Sequence, residues 1–240
     1  MLKFARFADI RPAQAIHPRI LSHPEFADLV NVKVPTQWLR ILTGRSFICV
    51  WAAAVCIGSF EMVRYQMRPA SASAAVAQQW PASLDLVRSS TCPTLVVSLH
   101  PQCPCSRATV HELAQLMSRS QGHLTAYALF VKPANAPANW LDGDLMQLAK
   151  AVPNVTVLVD EGGRDAAALG ATTSGQVIVY DVKGQIQFNG GITDGRGHEG
   201  DNPGLAAILA IVRDGKSPVA ETPVYGCSLG TCSIAAHNNK

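Results

Sequence analysis

Residues 94–107, TLVVSLHPQCPCSR, decide the reading of this chain. Thr94 to His100 is a short apolar, β-branched run with the character of a buried strand, and it ends in a turn that carries Cys103-Pro104-Cys105-Ser106. Val110, Leu113, Ala114 and Met117 then recur at helical spacing, so strand, cysteine-bearing turn and helix follow directly on one another. Leu124 to Val131 reads as a second strand, Leu141, Leu145, Leu148 and Val152 as a second helix, and Val155 to Asp160 as a third strand. A short helix over Arg164–Leu169 is stopped by Gly170, and two strands, Gln176–Tyr180 and Gln185–Asn189, are joined by a turn through Asp181 to Gly184. The last helix has Asn202 as N-cap, Pro203 in its first turn and Gly215 beyond its end. An alternation of this kind predicts an α/β domain with a central mixed sheet and helices on both faces.

The chemistry is expected at the turn after the first strand. A thiol at a helix N-terminus feels unsatisfied N–H groups and the positive dipole end, which favour thiolate over thiol. Pro104 suits the first helical turn and leaves Cys103 near the cap, so Cys103 is expected to be the exposed, reactive sulfur, with Cys105 inside the turn beneath it. Two cysteines one residue apart close only a tight ring, whose strain favours an oxidising or isomerising disulfide. The bland alternative is a pair of ordinary cysteines.

The strand-Cys-Pro-Cys-helix element, the inserted helix and strand over Trp140–Asp160, and the Gln176–Asn189 hairpin with its final helix resemble the thioredoxin fold. The insertion resembles the TlpA and peroxiredoxin branch, and the segments HPQCPCSR (100–107), GITDGRGHEGDN (191–202) and TPVYGCSL (222–229) are similar to membrane-anchored RedB-type proteins. The likeness spans roughly residues 90–230. It implies a thiol-disulfide oxidoreductase with a redox-active disulfide as its only cofactor and protein thiols or disulfides as partners. Two departures stand out. Thioredoxins carry Cys-x-x-Cys, and from Cys103 that register falls on Ser106, so Cys105 or another cysteine has to resolve; and Ser174-Gly175 stands where they place a cis-proline.

Beyond Cys103 and Cys105, the thiols after residue 66 are Cys92, Cys227 and Cys232, whose pairing the sequence leaves open. Cys92 lies at the far end of the first strand, whereas Cys227, in the tail after Gly215, is a possible resolving thiol. The glycine-rich loop 190–202 carries Arg196, His198 and Glu199, which could tune the Cys103 thiolate or orient a substrate, or form only a solvated turn before the last helix. His100 is open to the same double reading.

Ser46 to Phe60 is an uncharged run, and with the flanking Arg45 and Glu61 to Tyr65 it reaches the length that crosses a bilayer, given snorkelling arginines. An uncleaved anchor over 46–65 is favoured over a cleaved signal peptide, because Glu61, Arg64 and Arg68 precede the small residues Ala70–Ala77, and over a buried core helix, because the run is apolar all round. Residues 1–45 hold seven Lys and Arg against three Asp and Glu, so the positive-inside rule leaves them cytoplasmic and exports the rest, as in a single-pass inner-membrane protein with a periplasmic domain. The expected organisation is a tail over 1–45, the anchor over 46–65 in contact with lipid, an Ala/Ser/Gln-rich tether over 66–88, the α/β domain over 89–218, and a Cys-containing tail over 219–240.

A chain of 240 residues with 48% hydrophobic and 15% charged composition is neither disordered nor collagenous. From residue 81 onward there are eleven basic and thirteen acidic residues, which lacks the basic footprint that nucleic acid requires. Two other functions compete. His100, Cys103 and Cys105 form an H-x-x-C-x-C set of soft donors suited to Cu(I), as in a thioredoxin-fold metallochaperone. A thiol peroxidase is disfavoured because Leu99 or His100 stands where the Thr-x-x-Cys signature needs threonine.

Overall fold

The computed structural model describes residues 45–70 and 75–229, so all but the last residue of the tail read over 1–45, and Cys232, lie outside the described residues. The chain divides between Gly58 and Ser59 into two units. The first contributes the start of helix α1 (Arg45–Gln66). Residues 46–66 of this helix are long and apolar enough to cross a membrane, and none of that stretch is buried in protein. Phe47, Trp51, Ile57 and Phe60 are all exposed.

In the second unit, strands β1 (Thr94–Leu99), β2 (Thr125–Lys132), β3 (Val155–Glu161), β4 (Gln176–Tyr180) and β5 (Ile186–Gly190) form one sheet in the order β3-β2-β1-β4-β5. β1 pairs parallel with β2, and β2 with β3, while β4 runs antiparallel to β1 and to β5. Helices α2 (Ser106–Ser120), α3 (Asp144–Lys150), α4 (Arg164–Leu169) and α5 (Pro203–Asp214) complete the unit, whose element and strand order is the expected thioredoxin-like arrangement with an added helix and strand. Every residue of β1 is buried, which is why it reads as a continuous apolar run and not an alternating one.

The pleat divides the apolar residues between two clusters. Leu95, Val97 and Leu99 of β1 and Val177 and Val179 of β4 face the main core, where Val110, Leu113, Leu116 and Met117 of α2 and Leu205, Ile208 and Ile211 of α5 cover them. Val96, Ile178 and Tyr180 point to the other face. Leu169, at the end of α4, covers part of that face, and the remainder is closed by Val76, Trp80, Leu84 and Leu86. The segment expected to act as a tether thus packs on the sheet: Trp80 stacks edge-on against Tyr180 at 5.3 Å, Tyr180 Oη donates to the Ala77 carbonyl at 2.8 Å, and Ile186 N donates to Gln78 O at 3.0 Å. Its few apolar residues are spaced too irregularly for any periodicity to reveal them.

α5 begins as its sequence predicts, with Asn202 Oδ1 accepting from Leu205 N at 2.8 Å and Pro203 in the first turn. Asn202 also leans toward Glu112, a fully buried acid on α2 whose carboxylate accepts from Gly200 N at 2.6 Å. Burial pushes the Glu112 carboxyl above its ordinary range, and the Glu199 and Asp201 charges push the same way against the Gly200 hydrogen bond. A folded pKa raised above the unfolded one contributes stability below the unfolded value and loses it as pH rises through the folded value. Glu112→Gln, which retains an acceptor for Gly200, should therefore raise the thermal midpoint at pH 8, with the gain shrinking to nothing near pH 4. A pH-independent difference between the two melting curves would show that the carboxyl's charge plays no part.

Candidate active site

Strand register gathers the site. Ser98 pairs with Gln176, which sets residues 172–175 beside the end of β1, and Val177 pairs with Gly190, which starts the loop 191–202 at the same end of the sheet. The turn after β1 is closed by Cys103 N donating to His100 O and Ser106 N to Cys103 O, both at 3.1 Å. Cys105 is the N-cap of α2 in a right-handed helical conformation, with no side-chain capping bond.

Ser174 ties the turn to the segment before β4. Its Oγ accepts from His100 N at 2.7 Å and lies 2.6 Å from Ser106 Oγ. Ser106 in turn hydrogen-bonds Cys103. With its proton directed at a Cys103 thiolate, Ser106 Oγ must accept from Ser174, giving a chain of donors from His100 N through Ser174 and Ser106 to the sulfur. The next residue, Gly175, sits at φ +87, where a Cβ would stand 2.9 Å from Thr109 Oγ1, so glycine serves both backbone and packing there.

Cys103 is only 2% exposed, whereas Cys105 and Cys227 are half-buried. This reverses the expected exposure, because residues 220–229 return from α5 and cover the turn. Asn189 N donates to Ala220 O at 2.9 Å and Thr222 Oγ1 to Gly191 O at 2.8 Å, anchoring the tail beside β5. Ser174 N then donates to Cys227 O and Leu229 N to Thr172 O, both at 2.8 Å, with Thr173 and Ser228 bridged antiparallel.

Three thiols meet with opposite acidities. Burial by itself raises the Cys103 pKa, but hydrogen bonds from Ser106 Oγ, from the Cys227 thiol and from the backbone N–H groups of Cys227 and Ser106 outweigh it, so Cys103 lies below the ordinary thiol value. The Ser106 amide is the first N–H of α2, which is the helix-terminus contribution expected from the sequence. Burial and the neighbouring Cys103 charge hold Cys105 above the ordinary value, against the opposing pull of Arg196. Burial, the hydrogen bond to Cys103 and the charges of Cys103 and Cys105 push Cys227 to about 12. The arrangement can hold one thiolate beside two protonated thiols.

Of the loop residues, only Arg196 reaches this cluster: its side chain bonds Cys105, and its Nη1 donates to Gly226 O at 2.9 Å. Its backbone N donates to Gln66 O at 3.0 Å, and the guanidinium lies 5.2 Å from the centre of the Tyr65 ring. His198 is exposed, with Nε2 3.4 Å from Gln66 Oε1, and Glu199 lies 2.6 Å from His111 Nδ1, so neither is placed at the thiols. His100 is buried and packs edge-on against Trp140 at 4.8 Å, its Nδ1 accepting from Gln102 N at 3.1 Å; burial holds its pKa below the usual imidazole value. Among the described residues no group of three or more His, Cys, Asp or Glu side chains is arranged to hold a metal ion. Cys92 is held at the opposite end of β1 by Ser89 and Thr125.

A groove beside Cys103 is lined by Gln102, Pro104, Leu145 and the Arg107–Asp144 ion pair, whose charged atoms are 2.6 Å apart. Sequence reasoning did not single out Ser174 as a site residue. Its only signal was that it stands where the thioredoxin pattern places proline.

No family model matches the chain, and no curated protein matches it. Solved structures do. A hypothetical protein from Sinorhizobium meliloti superposes with a TM-score of 0.52 at 18% identity, over 65% of this chain and 94% of its own. An uncharacterized conserved protein from Geobacillus kaustophilus gives 0.50 at 19% identity, over 68% and 92%. A secreted disulfide oxidoreductase from Mycobacterium tuberculosis, homologous to E. coli DsbE, gives 0.38 at 14% identity, over 52% and 82%. At these identities the likeness is one of fold alone, and the mixed five-stranded order β3-β2-β1-β4-β5 is the thioredoxin-like arrangement expected from the sequence.

Proposed function

We propose that this chain is a membrane-anchored thiol-disulfide oxidoreductase of the RedB type, in the TlpA-like branch of the thioredoxin fold, with Cys103 as its nucleophile. The observation that carries this reading is the convergence of three thiols at a helix N-terminus, where the α2 start and the Ser174–Ser106 pair surround Cys103 and favour its thiolate while Cys105 and Cys227 are shifted the other way. A thiolate attacks one sulfur of a disulfide and expels the other as thiolate, and a second thiol of the protein then resolves the mixed disulfide. The partners are protein thiols or disulfides, met outside the cytoplasm. The excess of basic over acidic residues before Ser46 supports a cytoplasmic N-terminus, and α1 supplies the span.

The reading is tested on the reduced full-length protein by mapping iodoacetamide labelling of each cysteine against pH, with each rate normalised to its own high-pH plateau. Cys103 should reach half its plateau below the ~8.5 of a free thiol, and Cys227 well above it. A Cys103 profile centred at or above that of a free thiol would remove the basis for the nucleophile.

A further inference from the structure

The sequence points to Cys105 as the resolving thiol, but the fold places a better one on the returning tail. Residues 103 and 105 lie two apart in a helical turn, since Cys105 is in the right-handed helical conformation and Ser106 N closes back onto Cys103 O. Side chains two apart in such a turn diverge around the axis. The Cys105 thiol, moreover, is engaged by Arg196. Cys227 instead comes onto Cys103 from across the site: its carbonyl accepts from N of Ser174, the residue whose Oγ holds His100 N and Ser106 Oγ in the Cys103 turn, and its thiol and backbone N–H favour the Cys103 thiolate.

The approach of Cys227 is built into the backbone. Ser174 N donates to Cys227 O, Leu229 N to Thr172 O, and Arg196 Nη1 to Gly226 O, so residues on both sides of Cys227 are pinned. A Cβ on Gly226 would fall 1.9 Å from the Ser174 carbonyl oxygen, so the close approach of the tail at this point requires glycine. The same Ser174 supports Ser106 at the other side of the Cys103 sulfur. The elements that activate Cys103 are therefore the ones that seat Cys227 against it.

We propose that Cys227, not Cys105, closes the redox disulfide with Cys103, which makes the tail segment 220–229 a part of the active site that is covalently latched in the oxidised state. The proposal rests on Cys103 being the nucleophile. With a protein disulfide as oxidant, the Cys103 thiolate bonds to one substrate sulfur as the substrate S–S bond breaks and the other leaves as thiolate. That leaving thiolate or solvent takes the Cys227 proton. The Cys227 thiolate then bonds to Cys103 Sγ, the mixed disulfide breaks, and the second substrate sulfur departs as thiolate. Two electrons pass from the Cys103–Cys227 dithiol to the substrate, which is reduced to its dithiol. Charge favours this order: a Cys103 thiolate holds Cys227 protonated, and the hold ends once Cys103 is bonded to substrate.

The test uses full-length protein in detergent, with wild type, Cys105→Ser and Cys227→Ser compared. Each is reduced, mixed with a disulfide-containing protein such as insulin, quenched with N-ethylmaleimide and mapped as non-reduced peptides. Wild type and Cys105→Ser should both yield a peptide pair linked Cys103–Cys227, and Cys227→Ser should instead accumulate a Cys103–substrate mixed disulfide, at least tenfold over the other two. A Cys103–Cys105 disulfide as the main product, with mixed disulfide accumulating in Cys105→Ser and normal turnover in Cys227→Ser, would overturn this assignment while leaving Cys103 as nucleophile. Absence of any Cys103-linked species in all three proteins would overturn both the assignment and the oxidoreductase reading.

Discussion

Cys103→Ser should abolish reduction of a protein disulfide, to the uncatalysed background, while leaving the fold intact. The hydroxyl of serine does not ionise in water near neutral pH, so the donors that stabilise a thiolate at this position have no anion to act on, and an alcohol does not attack a disulfide. Stability should change little. The buried serine oxygen can still accept from Ser106 and Cys227, which keeps the cost near the ~1 kcal/mol of one imperfect hydrogen bond. Cys92→Ser is the control: its sulfur is held by Ser89 and Thr125 at the other end of β1, so exchange should proceed at the wild-type rate. Turnover by Cys103→Ser in an insulin-reduction assay, or its loss in Cys92→Ser, would move the chemistry to another sulfur.

Leu113→Ala should produce a large loss of stability. Leu113 is fully buried in the main cluster, on the helix face that covers the sheet. Removing a buried leucine side chain forfeits its transfer free energy and leaves a cavity that the sheet beneath cannot fill, costing about 2–5 kcal/mol. Against a total of roughly 5–15 kcal/mol for a domain, that is a loss visible in any denaturant titration. Val87→Ala, at a side chain that is 78% exposed, should shift the midpoint by less than about 0.5 kcal/mol. Equal midpoints for the two variants in urea would contradict the packing described for α2.

The order of elements was legible because each is set by a window of about ten residues. The buried run Thr94–Leu99, the helical spacing of Val110, Leu113 and Met117, the Asn202-Pro203 start and the Gly215 stop of the last helix are local properties, and the structure reproduces them with ends shifted by a residue or two. The apolar helix α1 was legible for the same reason, since length and composition alone define it. Placement of a cysteine pair after β1 also needed only the strand, the turn and the helix that follows.

The surroundings of that thiol were a different matter. No window of sequence contains both Cys103 and Cys227, or Ser106 and Ser174; they meet because β4 runs antiparallel to β1 with Ser98 opposite Gln176, and because the tail crosses back beside β5. The exposure of Cys103 was misjudged from sequence for that reason, as the helix terminus opens toward solvent until the tail covers it. Within the loop 190–202, Arg196, His198 and Glu199 are chemically equivalent candidates on paper, and only the folded loop turns Arg196 toward Cys105 and Gly226 while sending Glu199 to His111. The sequence by itself determined which elements form and that a cysteine pair stands at a helix N-terminus, since periodicity, capping and a strand-to-helix turn act over a few residues. The tertiary structure alone decided which thiol faces that pair and what covers it, since those contacts join segments that only strand register and chain return bring together.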